Sequence, residues 1–130
     1  MAVTTEEILR ERIVSGKLLE GPEQATPAYI EGLTRTLIVS ADTELISGPA
    51  YLNAVRDSPS LPGVNNYISA LGIIQDELGH AHIAYRMLRD LGVDTDALIY
   101  ERHPGHFKHP YAFDVPLESW TELVVANGFY

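Results

Sequence analysis

The stretch QDELGHAH, residues 75–82, sets a carboxylate and an imidazole three residues apart, at Glu77 and His80. On a helix that spacing leaves the two side chains about 60° apart, on one face. A glutamate and a histidine converging at one height suit a divalent transition metal. Their place in the helix sharpens the point. The stripe they belong to reads Ile73, Glu77, His80, Ala84, Met87, Leu91, and a carboxylate on an apolar face is costly unless its charge is compensated. A second stripe, Ile30, Leu33, Leu37, Ala41, runs on to Glu44. A lone Glu-x-x-His is more often a surface pair or a local salt bridge, and a lone Glu44 more often a solvated residue. Together they put three ligating groups where periodicity asks for apolar ones, and the conjunction brings metal binding level with the blander readings.

The other chemistry-bearing residues carry weaker signals. Asp76 is a candidate to orient a ligating histidine of another helix from one shell further out, although solvation is its simpler use. His82 lies more than a quarter-turn from Glu77 and His80 and is not expected to ligate. His103, His106 and His109 form HPGHFKH, an H-x-x-H-x-x-H run that invites zinc. Its prolines and glycine forbid a regular helix, so the spacing loses its meaning and a structural or surface loop is expected. Gly72 and Gly79 each cost a helix about 1 kcal/mol against alanine, which suggests close backbone approach to a neighbour helix or a ligand. No G-x-S-x-G, P-loop, G-x-G-x-x-G or H-E-x-x-H occurs.

These residues must be positioned by helices. Thr4 and Glu7 stand at capping-box spacing before a short first helix, and GKLLEGPEQ follows as a connector. Thr26-Pro27 opens the second helix with a cap and a first-turn proline, and Gly48-Pro49 ends or kinks it. After punctuation at Pro59 and Pro62, the longest helix spans about 65–91, closed by Gly92. A short helix is expected from Asp94, then an ordered loop over 103–116. A last amphipathic segment begins near Leu117, with Leu117, Trp120 and Val124 on one side. VNNYI and LIVS are the only β-tempting stretches, and each falls inside a helical pattern. The expected fold class is all-α. A Glu on one helix with Glu-x-x-His on another is half of the ligand set of ferritin-like di-iron or di-manganese bundles.

Composition narrows the functions. The 130 residues, 45% hydrophobic, allow one small domain or a piece of one. A net charge of −9 with only nine scattered Lys and Arg argues against a nucleic-acid partner. Arg86, Arg89, Arg102 and Lys108 could form a local basic patch, but a solvated helix face is the expected use. No apolar run approaches the roughly 20 residues that span a bilayer, so no membrane partner is expected. With no cysteine and no visible signal peptide, cytoplasm is the default compartment.

Three segments carry a resemblance: "YIEGLTRTLIVSADTELISG" (29–48), "IIQDELGHAHIAYRMLRDLG" (73–92) and "FKHPYAFDVPLESWTELVV" (107–125). Their Asp-Glu-x-Gly-His core, aromatic-rich loop and Pro-Leu-x-Ser-Trp helix entry resemble, in the same order, the N-terminal half of the catalytic subunit of ring-epoxidising acyl-CoA oxygenases, the phenylacetyl-CoA and benzoyl-CoA epoxidase group. The resemblance implies a ferritin-like helical bundle with a carboxylate-bridged di-iron centre, with Glu44 as first ligand, Glu77 as bridging carboxylate and His80 as terminal imidazole. It further implies an aryl-CoA substrate, a separate reductase, an oligomeric assembly and, within it, a structural sister subunit. The family's second ligand set, an acidic residue and another Glu-x-x-His, has no counterpart here; Glu122 lies one turn too early to be assigned. The chain is therefore expected to be truncated to the first two core helices plus the start of a third. Residues 1–26 would be an N-terminal helix and connector, and 27–130 the N-terminal half of the di-iron domain.

The acyl-CoA itself is not legible; the aromatic loop 103–113 is a candidate wall for its pocket. Two other functions remain open. One is a non-catalytic structural subunit of the same complex, in which the three residues pair with one another or with basic groups. The other is a homodimeric ferritin-like iron-binding or ferroxidase protein, in which two chains together supply four carboxylates and two imidazoles.

Overall fold

A computed structural model describes residues 4–57 and 63–129. Pro59 and Pro62 lie outside the described residues. Four α-helices make the frame: α1 (Thr5–Val14), α2 (Pro27–Asp57), α3 (Val64–Asp90) and α4 (Trp120–Phe129). No strand occurs among the described residues, and VNNYI and LIVS are helical. No described helix is long and apolar enough to cross a membrane.

Local chemistry fixes the helix ends much as the sequence suggests. The Thr4 hydroxyl accepts from the Glu7 N–H at 3.2 Å, and the Glu7 carboxylate accepts from the Thr4 N–H at 2.8 Å, a complete capping box. Thr26 Oγ1 accepts from the Tyr29 N–H at the start of α2. At the end of α3, Gly92 takes φ 84°, a conformation that favours glycine. That turn brings the Gly92 N–H to the Arg89 carbonyl and the Val93 N–H to the Leu88 carbonyl, closing the last turn of the helix.

Gly48-Pro49 does not end α2, which runs on through Pro49 to Asp57. The proline forfeits one helical N–H bond, but packing outweighs it. Gly48, Tyr51, Ala54 and Val55 are all buried, so two further turns of core surface hold the helix together. Gly48 itself is where a side chain of α3 presses on the backbone of α2: a Cβ there would meet Leu78 Cδ2 at 3.0 Å. Gly72 and Gly79, expected to mark close approach, have nothing within 4 Å of a Cβ position.

The helices α2 and α3 pack side by side around two apolar clusters. One joins Tyr51, Ala54, Val55, Ala70, Ile74, Phe113, Leu123 and Ala126. The other joins Ala41, Ala84, Tyr85 and Leu88. The buried face of α3 is thus rotated from the stripe read in the sequence. Ala70, Ile74, Ala81, Ala84, Tyr85 and Leu88 point inward, while Ile73, His80 and Met87 are exposed. In α4, Leu123 and Ala126 are buried and Val124 is 52% exposed, so Val124 leaves the core side assigned to it. Leu117 and Trp120 do pack against the first cluster.

Candidate metal centre

Glu44 and Glu77 sit between the two apolar clusters. In α2, Glu44 falls between Ala41 and Tyr51, and in α3, Glu77 falls between Ile74 and Ala84. The side-by-side packing of α2 and α3 brings them together. Glu44, Glu77 and His80 each offer a ligand atom within 4.8 Å of the others, the only such group of three among the described residues. His80 Nδ1 stands 3.6 Å from Glu44 Oε2, and its side chain is 60% exposed. Glu44 and Glu77 are half-buried, and His80 closes the cluster on its open side.

The electrostatics of the cluster are those of an uncompensated site. Burial, then a proton shared with Glu44 and the Glu44 charge, push the Glu77 carboxyl up to about 7. His80 and the Ser47 hydroxyl pull it the other way without prevailing. From α4, Asn127 Nδ2 donates to Glu77 Oε1 at the long distance of 3.5 Å. The buried Tyr51 hydroxyl bonds Asn127, and its pKa is raised by burial and then by the Glu77 charge. No lysine or arginine side chain is paired with Glu44 or Glu77 among the described residues. The donor set, two oxygen ligands and one imidazole, fits iron. Among the described residues no further ligating group joins the three.

Asp76 is exposed and has no side-chain partner among the described residues. His82 is exposed, away from the cluster as expected. The three loop histidines do not converge. His103 accepts from the Gly105 N–H at 3.1 Å, its ring packs against that of His106, and His109 Nε2 bonds Asp114 at 2.7 Å. Each of the three is engaged within its own loop. Glu122 accepts from the Glu118 N–H at the start of α4, consistent with leaving it out of the cluster.

One constellation has no counterpart in the sequence pattern. Asp42 is fully buried two residues before Glu44. Tyr85 donates its hydroxyl to Asp42 at 2.7 Å, Arg102 grips both carboxylate oxygens, and the Lys108 N–H donates at 2.9 Å. Burial alone would raise the Asp42 pKa, but these donors, Arg102 foremost, hold it below the usual range. Arg102 also lies 4.1 Å over the Phe107 ring. Its side chain is only 16% exposed, so it is no member of a solvated face. Thr43 Oγ1 donates to the Lys108 carbonyl beside it. The loop after residue 101 is therefore clamped to α2 next to the cluster. The sequence shows only an aspartate beside Ala41, and its partner Arg102 lies 60 residues away.

An all-α pair of long helices with a Glu, Glu-x-x-His cluster between them defines the class: a ferritin-like helical bundle. The sequence profile of the phenylacetic acid catabolic proteins matches residues 5–130, and the chain belongs to that family. It is 25% identical over 123 residues to one of the subunits of the 1,2-phenylacetyl-CoA epoxidase of Escherichia coli (strain K12). That alignment covers 95% of this chain and 39% of the relative, so the chain spans about two fifths of that protein's length. No solved structure matches.

Proposed function

We propose that Glu44, Glu77 and His80 hold one side of a di-iron centre in an oxygenase that epoxidises the aromatic ring of an aryl-CoA thioester. The observation that carries the proposal is the meeting of these three ligating groups, from two helices, between two apolar clusters. The epoxidase named above supports the reaction and the substrate class. The chemistry such a centre supplies when bound is activation of dioxygen, with one oxygen atom going to the ring and the other to water. Glu44 and Glu77 would bind as carboxylates and give up the proton they share. His80 would bind through an imidazole nitrogen. Asn127 would hold the Glu77 carboxylate in place from α4, and Asp76 would orient a histidine on a helix that the described residues do not include.

The rest of the ligand shell would come from beyond these residues, with 1–26 as a lead-in and 27–130 as the first half of the di-iron domain. A separate reductase, together with a structural sister subunit, would complete an oligomeric, cytoplasmic enzyme. A purely structural role for the cluster is disfavoured by the lack of any lysine or arginine paired with Glu44 or Glu77 among the described residues.

The test is anaerobic Fe(II) loading followed by elemental analysis, alongside the molecular mass in solution. Iron retained by the native chain and lost from Glu77→Ala and His80→Ala is the expected outcome. Equal retention by all three proteins would remove the proposal. About one iron per chain in a particle of two chains would move the reading to a centre shared between copies.

A further inference from the structure

Between α3 and α4, beside the cluster, lies an apolar cavity of about 150 Å³. Ala70 and Ile73 of α3 form one wall, and Trp120, Leu123 and Val124 of α4 the other. Tyr51 and Asn127 close the end nearest Glu77. The polar atoms in its lining are already engaged. Ser69 Oγ donates to the Asn65 carbonyl at 3.0 Å, Asn127 Nδ2 is turned to Glu77, and the Tyr51 hydroxyl is bonded to Asn127. Water entering the cavity would find few of the two to four partners it needs. Enclosed cavities of about this size with aliphatic and aromatic walls stay dry and take up benzene or xenon; this one has such walls, with a mouth at the exposed Ser69, Ile73 and Val124.

We propose that this cavity is a binding site for one small, uncharged, apolar molecule, no larger than an unsubstituted six-membered ring. The volume excludes a second ring. No lysine or arginine lines the space, and Asn127 at its end is bonded to the Glu77 carboxyl. An anionic ring such as benzoate is therefore rejected. A substituent on a bound ring would point outward, past Ser69 and the half-exposed Val124. The inference rests on the metal-centre reading only for what the cavity serves, which is to hold an apolar molecule next to Glu77. Occupancy itself requires no metal.

Trp120 is the only tryptophan in the chain and stands in the cavity wall, so its fluorescence reports occupancy directly. Bromobenzene, a heavy-atom quencher, is expected to quench Trp120 saturably. Benzene should compete it out, and sodium benzoate at the same concentration should not. Val124→Phe, at a half-exposed position, and Ala70→Leu, which fills the space from the buried side, should each weaken the apparent affinity at least tenfold. Far-UV circular dichroism and melting of each variant would show that the helices persist. Quenching that rises linearly without saturation, or that survives in a folded Val124→Phe, overturns the site and leaves only a surface crevice. Displacement by xenon but not by benzene would overturn the ring-sized occupant in favour of a gas. Failure here with iron still bound removes the cavity and leaves the metal centre; ring binding without iron uptake does the reverse.

Discussion

Glu77 carries a proton in the folded, metal-free chain over a range where an ordinary glutamate has lost it. Its folded pKa of about 7 lies above the value of 4.5 that an unfolded chain would show. The stabilisation from holding that proton is fully present below about pH 4.5 and is lost as pH rises toward 7. Urea midpoints of metal-free protein should accordingly fall across pH 4.5–7. Glu77→Gln, which keeps the shape without the charge, should flatten that slope; parallel slopes for the two proteins would contradict it. Asp42 acts in the opposite sense. Its folded pKa is lowered, so its contribution is present above about 3.8 and is lost as pH falls through the folded value. Glu44, Glu77 and His80 are legible as residues because three-and-four spacing carries them onto apolar stripes. The Asp42–Arg102 pair is not, since no local periodicity links residues 60 positions apart. The exposure of His80 is equally hidden, because periodicity defines a helix but not its rotation against its neighbour.

At the scale of elements, two tests separate packing from propensity. Gly79→Ala and Gly72→Ala meet open space and should each stabilise α3 by roughly 0.5–1 kcal/mol in chemical denaturation. Gly48→Ala should gain less or lose, because its Cβ would press on Leu78 at 3.0 Å. If all three gained alike, the closeness of α2 to α3 at Gly48 would be in doubt. The loop clamp gives a second contrast. Arg102→Met leaves a fully buried Asp42 without its cation and should cost about 3–5 kcal/mol. Asp42→Leu combined with Arg102→Met should recover much of that loss, since a buried pair replaced by apolar side chains is often neutral. A double variant as unstable as the single one would show that the Lys108 N–H and Tyr85 hydroxyl left behind matter more than the charge. The element pattern is readable from caps and periods, as Thr4, Thr26-Pro27 and Gly92 show. Pro49 misleads, because its local backbone cost says nothing of the buried Tyr51, Ala54 and Val55 that follow it.

Across the whole molecule, the carboxylate layer divides the core, with the Tyr51 cluster on one side and the Ala41–Leu88 cluster on the other. The two long helices pass through both, and at the layer itself α2 and α3 face each other with groups that repel once deprotonated. Any ion that binds there converts the weakest level of the helix pair into a cross-link. Stability should then rise with free metal as RT ln(1 + [L]/Kd), about 2.7 kcal/mol at a hundredfold excess over Kd. His80 separates this effect from simple packing. Its side chain is 60% exposed, so His80→Ala should barely change melting of the metal-free chain while removing most of the increment that Fe(II) gives under anaerobic conditions. Glu44→Gln should also lose the increment, and unlike His80→Ala it should stabilise the metal-free protein near pH 7 by removing a charge from beside Glu77. Melting curves of the native chain and the two variants, with and without Fe(II), decide the matter. An increment that persists in both variants would place the ion elsewhere on this acidic surface, and the cluster would then be only a protonated carboxyl pair within the bundle.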